Sequence, residues 1–544
     1  MQNREASFQS LCDAASLTVE QAASRLGLAD RDLLSLLNGS EVPVNLHNAL
    51  KAEAIFPEII TGIPELPLPA SGPANGREMT CVSLFSGAGG LDIGLEQAGF
   101  STIFASDIEG YAHETLQQNK IIASLDRAKF DTWFSSVVAA QRCYAKASAN
   151  DLSALKERLR LGLAQNFRHL SNAVIRAGDV RSLAAEGILT ATGQRRGNIA
   201  LMAGGPPCQP FSRAGKREMV GCEKGQLFMD FVRLVDGVRP RWFLFENVKG
   251  LILHGAEVAS GKCVHCLTEQ LIPFENRESL RSTDTCELLC GNCGSARSHQ
   301  IHWKSKRAGS LDIIRAEFER LGYKCYDKIL NAADFGAPQS RERIFIVGSR
   351  DHEEFFWPDA THMNPKLVDE GIVTLFEQKQ ERRPWTTTRE AIFANGHWRY
   401  GELDKDKAVL WVKNVVRPHD EPVTWSLNRI APTVGAHQSA KLAIAPYGVP
   451  EAQLTRQQWH VLGRRQGDTP PVFVEHEYLT DAELLALQTF PRSWYLHGTR
   501  MERAFQIGNA VPPILAQAVG EAIMKACGIS GTSDGGHIAY ACSI

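Results

Sequence analysis

The feature that most constrains this chain is an apolar run, residues 199–203, that passes at once into a loop of glycine and proline. The loop reads Gly204-Gly205-Pro206-Pro207-Cys208-Gln209-Pro210-Phe211-Ser212. This order predicts a strand that ends in a rigid turn. Cys208 on such a turn is a candidate nucleophile, because the thiolate is the reactive form and needs exposure and positive surroundings. Taken alone, it could also be an ordinary cysteine in a proline turn.

A second stretch favours the reactive interpretation. Phe243-Leu244-Phe245 is apolar and predicts a strand, and it is followed by a carboxylate, Glu246, and an amide, Asn247. In α/β sheets the chemistry is usually placed at the ends of strands. The two stretches together therefore predict a reactive site built from strand ends.

The chain length, the net charge and the number of cysteines limit this interpretation. A chain of 544 residues holds several domains, or one large domain with insertions. Its net charge of −2 means that a nucleic acid would be held by local basic patches. The sequence contains no membrane-spanning run and no signal-peptide pattern, which predicts a cytoplasmic protein. In that setting its 13 cysteines favour free thiols and metal ligands over disulfides.

A cofactor cleft is predicted from three strand ends. Residues 80–95 read as a strand, a loop with Gly87 and Gly89, and a helix. Glycine lets a ligand approach the backbone, and the helix N-terminus offers free N–H groups. The next strand ends at Asp107, roughly 20 residues after the loop, where a carboxylate suits a ribose diol. A third strand leads to Asp179. The loop is not G-x-G-x-x-G, so the pattern favours a nucleoside and not a dinucleotide.

Two insertions interrupt the predicted domain. Residues 120–172 form a helical insert, which we interpret as a solvated elaboration, with a DNA-facing arm as the alternative. Residues 253–306 carry two CxxC knuckles, which predict a closed, structural zinc site. Its ligands would be Cys263, Cys266, Cys290 and Cys293, with Cys286, His265, His299 and His302 as spare candidates.

The remaining segments complete a domain plan. Residues 1–56 resemble a helix-turn-helix domain, but Asp30 and Asp32 disfavour phosphate contact, so a regulatory or dimerising module is the alternative. Residues 57–79 read as a linker, and 351–478 as an irregular, tryptophan-rich recognition domain. The catalytic domain would span 80–350 and resume over 479–527, before a loose tail, 528–544.

Five stretches together identify a family resemblance. They are Leu84-Phe85-Ser86-Gly87-Ala88-Gly89-Gly90, Gly205-Pro206-Pro207-Cys208-Gln209, Glu246-Asn247-Val248, Gln339-Ser340-Arg341-Glu342-Arg343 and Gln506-Ile507-Gly508-Asn509-Ala510-Val511-Pro512-Pro513. In this order they resemble the DNA (cytosine-5) methyltransferases of bacterial restriction–modification systems, over about 80–350 and 425–525.

The resemblance implies a fold and a cofactor. The fold would be α/β, a Rossmann-like sheet of S-adenosylmethionine-dependent methyltransferases, with a target-recognition domain, the N-terminal helical domain and the zinc-knuckle insertion. The cofactor would be S-adenosylmethionine, beside the structural zinc. Its pocket would be formed by Phe85, Gly87, Gly89, Asp107, Ile108, Asp179, Pro206, Asn509 and Val511.

The resemblance also implies roles in catalysis. Cys208 would bond to C6 of a flipped-out cytosine in double-stranded DNA. Glu246 would meet the ring nitrogen, Arg343 the ring carbonyl oxygen, Arg341 would support the closed loop, and Asn247 would hold the cysteine loop.

Partners and rival functions follow from the same resemblance. The partners would be a specific DNA sequence and a cognate restriction endonuclease, in the bacterial cytoplasm at the nucleoid, with no membrane. One alternative is a tRNA cytosine-5 methyltransferase. Another is a DNA-binding regulator whose methylase domain is inactive.

Overall fold

The computed structural model describes residues 79–138, 149–164, 169–207, 227–253, 256–272, 283, 285–290, 292–294, 296–306, 309–365, 382–393, 408–412, 423–435, 440–444 and 476–529. The predicted module 1–56, nearly all of the predicted linker, Cys208 and the basic loop after it lie outside these residues. Within the described part, no helix combines the length and apolarity needed to cross a bilayer.

The strands are numbered in chain order. They are β1 Thr80–Leu84, β2 Ser101–Asp107, β3 Val174–Ala177, β4 Leu201–Gly204, β5 Trp242–Val248, β6 Ala256–Cys263, β7 Glu269–Leu271, β8 Thr285–Leu289, β9 Ala296–Lys306, β10 Lys324–Asn331, β11 Glu342–Ser349, β12 His362–Met363, β13 Arg383–Pro384, β14 Ala408–Val412, β15 Val423–Ser426, β16 Ala440–Ile444 and β17 His476–Tyr478.

The helices are numbered in the same way. They are α1 Gly90–Gln97, α2 Gly110–Ile122, α3 Arg127–Trp133, α4 Ala149–Ala164, α5 Ala185–Ala191, α6 Leu227–Val238, α7 Gly250–Leu253, α8 Gly309–Arg320, α9 Thr388–Phe393, α10 Asp481–Leu487, α11 Arg500–Asn509 and α12 Pro513–Ala526. A π-helical turn, Phe134–Val138, continues α3, and short 3-10 turns occupy Val180–Ser182 and Ala332–Phe335.

A seven-stranded sheet organises the described residues, in the order β10-β11-β5-β4-β1-β2-β3. Strands β3, β2, β1, β4 and β5 run parallel, whereas β11 is antiparallel to both β5 and β10. The chain order reverses between β1 and β4, so their carboxyl ends form the crevice in which α/β sheets bind ligands. The glycine loop follows β1 and the cysteine loop follows β4, which brings both motifs to this crevice.

Helices cover both faces of the sheet, which explains why its central strands are apolar throughout. Successive side chains of a strand point to opposite faces. Val82, Met202, Phe243 and Phe245 pack on one face with α6 and α8. On the other face, Cys81, Leu201, Leu244 and Phe345 pack with α1 and α12. The alternation along β1, β4, β5 and β11 therefore fixes the sheet between two helical layers.

The helical insert has a core of its own, which corrects its interpretation as a solvated elaboration. Helix α2 runs to Ile122, so the predicted start at residue 120 falls inside a helix. Phe130, Trp133 and Val137 are fully buried and pack with Leu159 of α4 and with Tyr495. Apolar side chains at helical spacing bury one face of the insert, and only its other face is solvated.

The second insertion is a four-stranded antiparallel sheet, in the order β7-β6-β9-β8. Its base is the pairing of β6 with β9 from Ala256↔Lys306 to Cys263↔His299. It leaves the main sheet after β5 and α7 and returns at α8.

The predicted domain plan stays a prediction, but three contacts bear on its boundaries. Met79 is buried among the core residues of the sheet, so the predicted linker ends before it. Phe355 is also in that core and lies 6.1 Å from Trp242, ring to ring, although residue 355 falls inside the predicted recognition domain. Ile392 of α9 packs with the C-terminal helices in a third cluster.

Candidate active site

The strand ends of the sheet are aligned at one edge. Leu84 of β1 lies beside Ser106 of β2 and Gly204 of β4, and Gly204 lies beside Phe245 of β5. Asp107 and Glu246 each follow the aligned residue of their own strand. The predicted cofactor carboxylate and the predicted catalytic carboxylate therefore stand on either side of the crevice.

The glycine loop has a left-handed backbone. Phe85, Gly87 and Gly89 have φ angles of 57°, 53° and 84°. Such angles are strained for most residues but free for glycine, which explains the glycines at 87 and 89, whereas Phe85 adopts its angle at a cost. Gly87 donates its N–H to Asp107 Oδ2 over 2.8 Å, which ties the loop to the end of β2.

Two carboxylates flank the next part of the crevice. Asp107 Oδ1 accepts the N–H of Glu109 over 2.9 Å, and burial raises the pKa of Asp107. Asp179 accepts Arg181 Nε over 2.8 Å, and this bond lowers the pKa of Asp179. Each carboxylate oxygen can accept a further bond, so both remain available to hydroxyl or amino groups. Between them, Ile108 is 61% exposed, a large apolar surface next to polar acceptors.

The segment after α11 contacts the start of α1, since a Cβ placed on Gly90 would stand 2.3 Å from the carbonyl oxygen of Val511. Helix α11 ends at Asn509, whose side chain is exposed. Val511 is buried in the same core cluster as Leu91 of α1, the helix that follows the glycine loop. The structure thus brings Val511, late in the chain, to the helix that follows the glycine loop.

The catalytic side of the crevice contains a buried ion pair. Arg343 Nε lies 3.0 Å from Glu246 Oε1, and both side chains are about one-tenth exposed. Burial raises the pKa of Glu246, and the positive charges of Arg343 and Arg341 partly oppose the shift. Glu246 can therefore keep a proton at a higher pH than an exposed glutamate.

The other oxygen of Glu246 faces the start of the cysteine loop. A Cβ placed on Gly205 would stand 2.6 Å from Glu246 Oε2, so only glycine fits this approach. Asn247 Nδ2 donates to the carbonyl oxygen of the buried Pro206 over 2.9 Å. Cys208 lies outside the described residues, but Pro206, two residues before it, is bonded to the end of β5.

Arg341 differs from the expectation drawn from its spacing. Side chains at i and i+2 of an extended segment point the same way, and this spacing predicts that Arg341 and Arg343 both present a cation to a phosphate or a carbonyl oxygen. Instead Arg341 is fully buried and donates to the carbonyl oxygens of Val434 and Gly508 over 2.9 and 2.8 Å. Burial lowers the pKa of Arg341, and Arg343 adds to the shift. Arg341 therefore links distant segments of the chain and leaves the contact with Glu246 to Arg343.

Sequence reasoning assigned no role to two further buried residues. Gln339 donates to the carbonyl oxygen of Leu487 over 2.6 Å and accepts the N–H of Val434 over 3.0 Å, so it joins the same segments as Arg341. Trp494 Nε1 donates to the carbonyl oxygen of Ala88, in the glycine loop, over 2.9 Å. Gln339 stood in a quoted motif, but nothing in the sequence signalled Trp494.

The four knuckle cysteines come together. Their sulfur atoms, in Cys263, Cys266, Cys290 and Cys293, all lie within 4.8 Å of one another. This is the donor set and spread of a tetrahedral thiolate site. Of the spare candidates, Cys286 and His299 are buried in the sheet beside it, whereas His265 and His302 are exposed.

Comparison with known proteins identifies the chain. The family profile described as C-5 cytosine-specific DNA methylase matches residues 79–132, 163–273 and 301–525, well over half of the chain. The chain belongs to this family. It is accordingly a DNA cytosine-5 methyltransferase, DNA is its substrate, and S-adenosylmethionine is the methyl donor that such methyltransferases use.

Individual relatives agree with the profile. The Type II methyltransferase M1.HphI of Haemophilus parahaemolyticus is 27% identical over 452 residues, which cover 82% of this chain and 87% of the relative. The Type II methyltransferase M.AquIA of a Picosynechococcus species is 29% identical over 316 residues, 58% of this chain and 88% of the relative. The crystal structure of the S. pombe Dnmt2 methyltransferase aligns with 82% of this chain and 99% of its own, at 14% identity and a TM-score of 0.43.

The crevice fits the methyl donor chemically. A glycine loop before a helix leaves room for the backbone to contact a ligand, and Asp107 and Asp179 offer acceptors for ribose hydroxyls and an adenine amino group. Ile108 offers an exposed apolar surface for a ring.

Proposed function

We propose that the chain methylates C5 of a flipped-out cytosine in a specific sequence of double-stranded DNA, through a covalent bond between Cys208 and C6. The buried pair of Glu246 and Arg343, at a strand end beside the cysteine loop, is the observation that carries this proposal. Catalysis would use Cys208, Glu246, Asn247, Arg341 and Arg343.

Cys208 would begin the reaction, because C5 of cytosine is a poor nucleophile on its own. Its thiolate adds to C6, and the electron pair of the C5–C6 double bond is displaced through the ring toward N3. Glu246, protonated, gives its proton to N3, so the ring becomes a neutral enamine with a nucleophilic C5. Oε1 of Glu246 is bonded to Arg343, which leaves Oε2, the oxygen facing Gly205, for this transfer.

The two arginines would have separate tasks. Arg343 orients Glu246 and stabilises charge that develops on the cytosine O2. Arg341 acts at a distance from the base, since its guanidinium is bonded to Val434 and Gly508. It would hold the segments around the crevice together while the cysteine loop is closed.

S-adenosylmethionine, when bound, supplies an electrophilic methyl group for C5. Phe85, Gly87, Gly89, Asp107, Ile108, Asp179, Pro206, Asn509 and Val511 would hold it in the crevice. After C5 is methylated, a base removes the C5 proton. The electrons of that C–H bond restore the C5–C6 double bond, Cys208 leaves as the thiolate, and N3 returns its proton to Glu246.

The target base must leave the duplex before Cys208 can reach C6. Flipping costs a few kcal/mol, which contacts to the opened helix would offset. We propose that residues 351–478 read the target sequence. Because relatives are named Type II methyltransferases, we also propose that the chain protects DNA from a cognate restriction endonuclease.

A structural zinc ion is the second proposed ligand. Cys263, Cys266, Cys290 and Cys293 would fill its coordination sphere with thiolates and leave no open position for catalysis. The ion would hold the ends of β6 and the segment after β8 together.

The proposal is tested by trapping the covalent bond. With S-adenosylmethionine and a duplex carrying 5-fluorocytosine at the target, the C5 fluorine cannot be removed, so Cys208 stays attached and the complex survives denaturing electrophoresis. Bisulfite sequencing of DNA from expressing cells would first identify the target sequence.

Matched variants sharpen the test. Cys208→Ala should abolish the adduct, whereas Cys527→Ser, at the end of α12, should keep it. Absence of an adduct in a preparation that methylates duplex DNA would refute the covalent mechanism. Methylation of tRNA but not of duplex DNA would refute the proposed substrate.

A further inference from the structure

The helical insert contacts one irregular segment near the C-terminus. The family profile skips residues 133–162, so most of α4 lies outside the common family pattern. The insert packs against residues 491–497, which we call the 491–497 segment. This segment belongs to no helix or strand, so side-chain contacts must fix much of its position.

Arg158 of α4 makes the central polar contact. Its guanidinium Nη1 donates to the carbonyl oxygens of Arg492 and Trp494, the latter over 3.0 Å. Hydrogen bonds from a charged donor are stronger than neutral ones. Tyr495, fully buried, adds an edge-on contact with Trp133 of α3, with ring centroids 5.6 Å apart. The insert therefore contacts three residues of the segment, Arg492, Trp494 and Tyr495.

The other side of the segment contacts the glycine loop. Trp494 Nε1 donates to the carbonyl oxygen of Ala88 over 2.9 Å. Its ring also lies under Gly89, where an added Cβ would come within 3.1 Å of it. Trp494 is thus bonded to the insert through its backbone carbonyl and to the glycine loop through its indole N–H.

We propose that the helical insert is a support for the cofactor site. Arg158 and Trp494 are positioning residues: Arg158 fixes the 491–497 segment, and Trp494 fixes the left-handed backbone of the glycine loop. The inference rests on the proposed role of Gly87 and Gly89 in holding S-adenosylmethionine. A loop held in its binding conformation spends less free energy on ordering when the ligand binds, so the insert raises affinity for the methyl donor.

Two further hydrogen bonds to the 491–497 segment limit the loss of affinity expected when Arg158 is removed. Asn119 of α2 donates Nδ2 to the carbonyl oxygen of Tyr495 over 2.9 Å and accepts its N–H over 3.0 Å. The segment therefore keeps part of its position when Arg158 is removed. We expect a moderate change in affinity and a folded protein.

The experiment measures binding of S-adenosylmethionine and of S-adenosylhomocysteine by titration calorimetry on the full chain. Arg158→Ala should raise both dissociation constants about fivefold, the lower end of typical coupling between sites. Trp494→Phe keeps an aromatic ring but removes the N–H, and should raise them about threefold, as expected for a single hydrogen bond. At saturating methyl donor, kcat should change much less than KM.

Arg160→Ala is the matched control. Arg160 lies two residues further along α4, and its guanidinium pairs with Asp131 and Glu157, both within the insert. Its removal should leave both dissociation constants within twofold of the wild type, because it does not touch the 491–497 segment.

The outcomes distinguish a failure of the proposed cofactor site from a failure of the proposed support by the insert. If the wild type binds neither ligand, the proposed cofactor site fails. If the wild type binds but Arg158→Ala and Trp494→Phe bind equally well, the supporting role is refuted. An equal loss in Arg160→Ala would refute the positioning role assigned to Arg158, since the effect would then not depend on its contact with the 491–497 segment. If Arg158→Ala does not fold, Trp494→Phe decides the question.

Discussion

Asp92 lies in the first turn of α1, directly after the glycine loop, and should make the protein less stable as pH rises. The side chain is fully buried. Burial raises the pKa of Asp92 to about 7. The folded state therefore binds a proton that the unfolded state has already released at neutral pH.

The magnitude follows from linkage. A raised folded-state pKa means that the contribution to stability is greatest below the unfolded pKa, about 3.9, and is lost as pH rises toward 7. Between pH 5 and pH 8 the free energy of unfolding should fall by up to roughly 2.5 kcal/mol on account of Asp92. Asp92→Asn removes the titrating group while keeping the size of the side chain. The free-energy difference between wild type and variant should shift in favour of the variant by that amount.

Urea unfolding at pH 5, 6, 7 and 8 measures this shift. At each pH, the free energy of unfolding of the variant is subtracted from that of the wild type. The cost of burying the amide in the variant does not depend on pH, so it cancels when these differences are compared between pH values. Asp131→Asn is the control. Bonds to Arg160 and Lys156 lower the pKa of Asp131, so its carboxylate stays ionised between pH 5 and pH 8. Its free-energy difference should stay constant over the same range. A difference for Asp92→Asn that does not vary with pH would refute the assignment of a raised pKa to this buried carboxyl.

Three further predictions follow from the site and its surroundings. Glu246→Gln should lower the methylation rate about 100-fold. Because only protonated Glu246 can donate a proton to N3, the methylation rate of the wild type should fall as pH rises through the raised pKa of Glu246. A Glu246→Gln variant whose rate falls in the same way would refute this role. Thr115→Val should cost about 1–3 kcal/mol in urea unfolding, because the buried hydroxyl donates to Gln506 Oε1 over 2.7 Å and accepts the N–H of His497 over 2.9 Å, and an unchanged midpoint would contradict this network. Metal analysis should find zinc at about one ion per chain, largely lost in Cys290→Ala, and a metal-free native preparation would refute the site.

The sequence predicted those parts of the site that depend on local pattern. Strand ends, glycine loops and CxxC knuckles are written in neighbouring residues, so Glu246, Asn247 and the four cysteines could be located before the structure was known. Arg341 shows where this reasoning stops. Its partners, Val434 and Gly508, are 93 and 167 positions away, and no local pattern specifies which carbonyl oxygens a buried guanidinium will meet. The i, i+2 spacing on an extended segment predicted that both arginines face the ligand.

The same limit applies to the helical insert. Its composition indicated helices. Its fully buried residues, such as Trp133, are buried because they pack against Tyr495, which lies more than 300 residues later in the chain. Asp92 was missed because an aspartate in the first turn of a helix ordinarily stabilises it as an exposed group. Only the packing around α1 shows that this one is buried.

The two insertions differ in what makes each of them stable, and this difference argues for the zinc ion. The helical insert buries a cluster of large side chains, including Phe130, Trp133 and Phe134, which is enough apolar area to hold three helical pieces together. Among the described residues of the knuckle sheet, Ala259, Ile272 and Cys286 form a small buried cluster, with Ile301 and Trp303 packed against it. Small modules are commonly stabilised by a metal or by disulfides. Its four clustered thiolates supply the first, so the knuckle sheet should lose its structure without zinc while the helical insert and the catalytic crevice keep theirs.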